Sequence, residues 1–384
     1  MDCKVIIVGG NHHNGLGLAR SLGGNGIEIH SVVADECKNS FLAHSKFVSS
    51  CTVFSNEKEA FDYVLATYSN ESERPVLIPY SDRAACELDL RLDEFRGKFH
   101  VPSIGNQQGA IAAMMNKQKQ VGFAQKYNLR MAKTCTVLFA GKDRSVDLPD
   151  IPYPCIIKPA VSAEGDKKDI AVCQTAQELS VQMEKYRKAG YSSALVQEYL
   201  TIDYEIDVFG CIINADPGIC FVPTQTIRSW PPQGGTNSFS KIITEESLIK
   251  KCRQIIQGLK AEGFYGLYDI ELFVVGDDVL LNEINYRNSG DVYMALSQGY
   301  SYPYAWVSDC MGMPVHIAEH PERGDYTMTE CADLRNAIFG TLSLKQWLMD
   351  FRQCRDYALK YPGDMKPAFS RYLYYARRML NRAK

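Results

Sequence analysis

The stretch YDIELFVVGDDVLLNEINYR, residues 268–287, decides how this chain is read. Its two arms, DIELFVV and VLLNEINY, are rich in β-branched and apolar residues, and GDD (Gly276–Asp278) between them is a turn signal, so a β-hairpin is expected. A turn centred on Asp277 would set Glu271 opposite Glu283 and Asp269 opposite Asn285. Side chains alternate along a strand, so Asp269, Glu271, Glu283, Asn285 and Arg287 would share one face. Carboxylates directly opposite one another destabilise a strand pair, and a cation between them is the natural remedy. Carboxylate and amide oxygens are the hard donors that Mg2+ or Mn2+ prefers, typically one or two carboxylates together with phosphate. Taken alone, the pattern fits equally a solvated outer face with ordinary acidic residues.

With 384 residues the chain has room for two or three domains with substantial cores. Hydrophobic residues make up 46% and charged residues 23%, as in an ordinary soluble protein. A net charge of −3 argues against a nucleic-acid partner, since phosphate contacts need a basic surface. The 13 cysteines contain no CxxC pair and are odd in number, which fits reduced thiols in a cytoplasmic protein better than a disulfide framework or a zinc site. The opening MDCKVIIVGG is too short in its apolar part for a signal peptide, and no run approaches the roughly 20 apolar residues of a transmembrane segment.

Residues 1 to about 110 alternate apolar runs (KVIIVGG, IEIHSVVA, PVLIPYSD, HVPSIG) with helical patterns, as in a parallel sheet covered by helices. A helical stretch over 107–129 leads into a small α+β segment with the strands TCTVLFA, YPCIIKPA, KDIAVC and SALVQEYL. Strands dominate from Tyr204, and a helix after Thr244, its expected N-cap, precedes the hairpin.

YPCIIKPAVSAEGDKKDIAV (153–172) places Lys158 at a strand end beside a small-residue loop, where an ammonium and backbone N–H groups can hold phosphate; a plain surface lysine fits the same residues. ALVQEYLTIDYE (194–205) offers Gln197 and Glu198 at a strand end for an adenine edge, and Glu205 for a ribose hydroxyl. Arg228, with Gly234 and Gly235 in TIRSWPPQGGTNSF, resembles a substrate loop whose guanidinium would fork a carboxylate. Glycines 10, 15 and 17 do not make the GxGxxG loop that a dinucleotide would need. Asn14, Ser81 and Asp82 could instead border a substrate cleft, or the glycines could simply permit a tight turn. HIAEH (316–320) matches an inverted zinc-protease motif, but Pro314 and Pro321 leave no room for the helix that motif needs. The tail KPAFSRYLYYARRMLNRAK holds six basic residues and no acid, with Phe369, Leu373, Ala376 and Leu380 as a helical stripe; it suits docking on its own domain, a membrane surface or a partner.

In order and spacing, Lys117, Lys158, VQEYL, Glu205, Glu271 and NEINYR resemble the ATP-grasp superfamily of carboxylate–amine ligases, closest to the branch of biotin carboxylase, carbamoyl-phosphate synthetase and D-aspartate ligase-like enzymes. The resemblance covers roughly residues 1–310. It implies an α/β ATP-grasp fold: a Rossmann-like parallel-sheet domain over 1–110, an ATP-grasp domain over 111–320 with a small α+β lid over about 133–198, and a C-terminal helical extension over 321–384. It further implies ATP with Mg2+ (or Mn2+) held by Glu271, Glu283 and Asn285, phosphate contacts from Lys117 and Lys158, and an adenine hinge at Gln197, Glu198 and Leu200. Glu205 would take the ribose, and Arg287, with Arg228, would balance charge on an acyl phosphate. The partners would be small-molecule carboxylates and amines, with a homodimer common among such enzymes. Two departures stand out: the lid loop VSAEGDKKD has only Gly165 and would close through Ser162 and Lys167, and Asn116 stands where many relatives have aspartate. A bicarbonate-using carboxylase and a non-catalytic ATP-binding regulator are the alternative readings.

Overall fold

Every residue of β1 (Lys4–Gly9) after the first is buried, as in a strand covered on both faces. The computed structural model describes residues 4–37, 39–139, 148–159, 169–232, 235–340 and 342–382, without the side chains of 378–382. Ser162, Gly165 and Lys167 of the expected lid loop, and Gly234, lie outside the described residues.

After β1 the chain runs α1 (His13–Gly23), β2 (Glu28–Ala34), β3 (Ser50–Phe54), α2 (Glu57–Tyr68), β4 (Val76–Pro79), α3 (Asp82–Leu90), α4 (Leu92–Phe95), β5 (Ser103–Ile104) and α5 (Ala110–Met114). The first four strands form a parallel sheet in the order β3-β2-β1-β4. Alternation along β1 feeds two cores: Val5 and Ile7 pack with Leu16, Leu18 and Leu22 of α1, while Ile6 and Val8 pack with Phe61 and Val64 of α2 and Leu88 of α3. Side-chain caps start the helices, Asn56 accepting from the Glu59 N–H and Ser81 from the Ala84 N–H. The sheet corrects the expected strand set. SCTVF supplies β3, and HVPSIG joins the parallel sheet only through a single bridge, His100 beside Val76 of β4, before Ser103–Ile104 pairs antiparallel with Phe264 and Tyr265.

Helix 107–129 is interrupted: α5 ends at Met114 and α6 (Lys117–Lys126) begins after two intervening residues. The chain divides there into two compact units, one of Met1–Asn116, Tyr204–Glu271 and Ile284–Lys384, the other of Lys117–Asp203 and Leu272–Glu283. The second unit continues with β6 (Arg130–Met131), β7 (Thr134–Leu138), β8 (Cys155–Pro159), β9 (Ala171–Cys173), α7 (Ala176–Ala189) and β10 (Ser193–Glu198). Its antiparallel sheet, β7-β10-β8-β9, packs Cys155, Ile157 and Val196 against Leu179, Met183 and Tyr186 of α7. Thr175 caps the start of α7, and Gly190, in the left-handed region at φ +85°, ends it.

The first unit resumes with β11 (Tyr204–Ile212), β12 (Ile219–Trp230), β13 (Thr236–Ile242) and α8 (Glu246–Ala261). The N-cap of α8 is Glu245, not Thr244, and it makes no side-chain capping bond. Next come β14 (Phe264–Val275), β15 (Asp278–Asn285), α9 (Tyr302–Cys310), β16 (Tyr326–Met328), α10 (Glu330–Phe339), α11 (Leu344–Gln353), β17 (Cys354–Tyr357) and α12 (Lys366–Arg382). The strand order is β17-β16-β13-β12-β11-β14-β15, with β6 beside Leu280 and Leu281 of β15 in the second unit. Residues 313–318 are not helical, so HIAEH has no helix to align its histidines.

Candidate active site

The hairpin turn is tighter than its sequence implied. β14 ends at Val275 and β15 begins at Asp278, leaving only Gly276 and Asp277 in the turn, with Gly276 in the left-handed region at φ +57°. The turn is therefore not centred on Asp277, and the opposition of Glu271 to Glu283 does not follow from it. What each strand settles separately is that Asp269 and Glu271 alternate onto one side of β14, and Glu283 and Asn285 onto one side of β15.

In the first unit, Arg287 follows Asn285 by two residues and is clamped by two carboxylates. Its Nε donates to Asp82 Oδ1 at 3.0 Å, and its Nη1 donates to Asp269. Burial works against its charge, but Asp269 and Asp82 outweigh burial and hold the guanidinium above its ordinary pKa. Asp82 is thus a brace for Arg287, at the first turn of α3. Next to this clamp is a buried acidic network that the sequence reading did not single out. Asp207 of β11 accepts from Thr226 Oγ1 at 3.1 Å and from Asn237 Nδ2 at 3.3 Å, and the same Asn237 amide donates to Asp291 at 3.2 Å. Burial, then the nearby Asp269, pushes Asp291 up to about 7, and burial with the charge of Asp291 drives Asp207 well above the usual carboxylate range. An aspartate inside the apolar run YEIDVFG was the available signal for Asp207. Glu205 lies two residues earlier on β11, and burial raises its pKa as well.

Asn14 is buried. Its amide nitrogen donates to the carbonyls of Tyr80 (2.7 Å) and Asn288 (2.8 Å), and its oxygen accepts from Asn288 Nδ2 at 2.5 Å. It ties α1 to the loop after β15. Arg228 is engaged in a different place. Its Nε and Nη2 grip both oxygens of Asp333 on α10 (3.0 and 2.9 Å), and Nη1 reaches Asp350 on α11 at 2.7 Å, with the Phe239 ring 4.2 Å away. The carboxylate fork foreseen for Arg228 is made, but with the chain's own aspartates.

In the second unit, Lys117 opens α6. Its Nζ lies 3.0 Å from Glu283 Oε2 and donates to the Asn282 carbonyl at 3.2 Å. Lys158 sits near the end of β8 across from Leu195 of β10, and its Nζ donates to Gln197 Oε1 at 3.3 Å. Gln197 Nε2 donates in turn to Thr134 Oγ1 at 3.0 Å. Glu198 ends β10, its N–H donating to the Lys133 carbonyl, and Leu200 follows, partly exposed. The unit therefore brings Lys117 to Glu283 and Lys158 to Gln197. Among the described residues no group of three or more His, Cys, Asp or Glu side chains is gathered as a metal site; the expected donor set contains two carboxylates and one amide.

Residues 123–299 match the ATP-grasp domain family. A formate-dependent phosphoribosylglycinamide formyltransferase of Wolinella succinogenes is 27% identical over 304 residues, 75% of this chain and 72% of that protein. Further relatives of the same description are matched over 42–43% of their length, so the chain spans less than half of them. Among solved structures, N5-carboxyaminoimidazole synthetase from Staphylococcus aureus superposes with a TM-score of 0.63 at 13% identity, over 88% of this chain and 87% of that one. L-amino acid ligase from Bacillus licheniformis gives 0.57 at 14%, over 81% and 75%. At these identities the structural likeness establishes the fold.

Proposed function

From the match of residues 123–299 to the ATP-grasp domain family, we propose that this chain is an ATP-grasp C–N bond-forming ligase, which phosphorylates a substrate carboxylate with ATP and passes the acyl group to an amine, releasing ADP and phosphate. The observation that carries the reading is positional. The residues from Lys158 to Arg287 assigned to nucleotide, metal and acyl phosphate all fall within the matched span 123–299, with Lys117 six residues before it.

Lys117 and Lys158 are assigned to the phosphate oxygens as point charges. Gln197, Glu198 and Leu200 would meet the adenine and Glu205 the ribose. Glu271, Glu283 and Asn285 would hold the metal: all three offer hard oxygens, and Glu283 and Asn285 point to the same side of β15, a donor chemistry that fits Mg2+ or Mn2+. Such an ion would supply positive charge to offset the negative charge of the phosphates. Arg287, kept charged and fixed in direction by Asp82 and Asp269, is positioned to stabilise charge that develops on the transferring phosphoryl and acyl groups. Arg228 is assigned to the architecture, because its donors are committed to Asp333 and Asp350. No protein nucleophile is required, since substrate carboxylate attacks the γ-phosphorus and substrate amine attacks the acyl carbon. We keep the division into 1–110, 111–320 and 321–384 as part of this proposal, together with cytoplasmic residence; among the described residues no helix is long and apolar enough to cross a membrane.

One specific observation bears on the substrate: the Wolinella succinogenes relative is described as formate-dependent. Formate therefore heads the carboxylates to test, followed by bicarbonate and amino acids. Purified protein with Mg2+-ATP and these acids, each with a pool of amines, is expected to release ADP and phosphate in an amine-stimulated reaction that Glu283→Ala lowers by about a hundredfold or more. ATP binding without any amine-stimulated release would favour a regulatory ATP-binding protein instead.

A further inference from the structure

The last helix carries two faces, and the fold uses only one. Residues 366–384 hold six basic residues and no acid. Along α12, Ala368, Arg371, Tyr372 and Tyr375 recur at helical spacing and dock the helix on its own unit. Ala368 is fully buried, the Arg371 guanidinium lies 5.0 Å from the Phe41 ring, and the Tyr372 hydroxyl donates to buried Glu330 at 2.8 Å. Arg335 of α10 stands 5.3 Å from the Tyr375 ring. This is the docking foreseen for the tail.

The stripe singled out in the sequence lies elsewhere on the helix. Phe369 is 60% exposed and Leu373 59%, and Ala376, three residues on, is exposed too. Tyr374, about 100° further round the helix, is 47% exposed. At about 100° per residue, positions 369, 373 and 376 form a flank centred about 120° round the helix from the face of 368, 371, 372 and 375. Lys366 and Arg377 are exposed on this outer side as well. A docked helix thus presents large apolar side chains outward, bordered by cations. An apolar row of this kind gains from burial only if something outside the chain covers it.

We propose that α12 lies on an anionic lipid bilayer, with Phe369 and Leu373 inserted at the boundary between headgroups and acyl chains and the basic residues against the headgroups. The charge selects this occupant. Juxtaposed with the same helix of a second copy, the exposed Lys366 and Arg377 would meet cations of a segment that carries no acid, whereas an anionic leaflet offers the opposite sign and an apolar layer just beneath it. A polyanion without an apolar layer would leave the two largest outward side chains in water. The helix is too polar to span the bilayer, so the attachment is peripheral and reversible, and it does not depend on the ligase reading.

Flotation of the full chain with phosphatidylcholine vesicles, with and without about 30% phosphatidylglycerol, tests this. Binding is expected to the anionic vesicles only, at least tenfold weaker in about 0.5 M salt than in about 0.05 M. Phe369→Gln/Leu373→Gln should weaken it at least tenfold, with melting temperature and ATP turnover unchanged. Equal binding to both vesicle types, no binding to either, or full binding by the double variant overturns the proposal. So does a dimer in sedimentation velocity that the double variant dissociates while vesicles capture neither protein; the outer face would then belong to a second copy.

Discussion

Two arginines with similar credentials end in opposite roles. Arg287 is held at Asp82 and at Asp269 in the middle of β14, whereas Arg228 spends its donors on Asp333 and Asp350. Sequence chemistry marks Arg228 as suited to a carboxylate fork but does not name the partner, because Asp333 and Asp350 lie 105 and 122 residues away along the chain. The two roles separate by measurement. Arg287→Lys keeps a charge but loses the fork, and is expected to lower kcat about a hundredfold with little change in melting temperature. Arg228→Lys should do the reverse, costing about 1–3 kcal/mol of stability through lost buried hydrogen bonds while kcat/KM stays within about threefold. A catalytic loss confined to Arg228→Lys would invert the assignment. The same blindness to distant partners hid Asp207 and Asp291: each is an ordinary aspartate until the sheet brings Asn237 between them.

Among the elements, those with a strong period were legible and those with weak or borrowed signals were not. β1, β2 and β4 announce themselves as continuous apolar runs. β3 does not, because it is a half-buried edge strand containing Ser50, Cys51 and Thr52. The hairpin was recognised, but its turn was placed one residue long, and a shift of that size changes which side chains oppose each other. β17 carries a further consequence that only burial reveals. Asp356 accepts from the Ser297 N–H (2.9 Å) and hydroxyl (2.8 Å), yet burial raises its pKa to about 6. An aspartate in the unfolded chain titrates near 3.9. Between about pH 4 and pH 6 the folded protein therefore binds a proton that the unfolded chain has released, so Asp356 makes stability fall as pH rises through that window. Asp356→Asn can keep both contacts with Ser297 and should remove this slope, leaving the protein about 1–3 kcal/mol more stable at pH 7 relative to pH 4 than the parent. Denaturant titrations at pH 4 and 7 measure it; an unchanged slope would mean that Asp356 is ionised throughout.

For the molecule as a whole, the ATP-grasp resemblance was legible because its residues keep their order and spacing over about 170 positions, from Lys117 to Arg287. The two-unit division was not, since a boundary that leaves one strand after Glu271 and re-enters the next at Ile284 has no composition shift to mark it. The outer face of α12 was visible as a stripe, but only packing shows which side of the helix the fold consumes. The central claim is the transfer of a phosphoryl group to a substrate carboxylate, and oxygen tracing tests it most directly. With the active carboxylic acid labelled with 18O and Mg2+-ATP and amine present, mass spectrometry of the released phosphate should find one 18O per turnover, and ADP as the nucleotide. Label in AMP, or phosphate free of label, would contradict the acyl phosphate and with it the proposed mechanism.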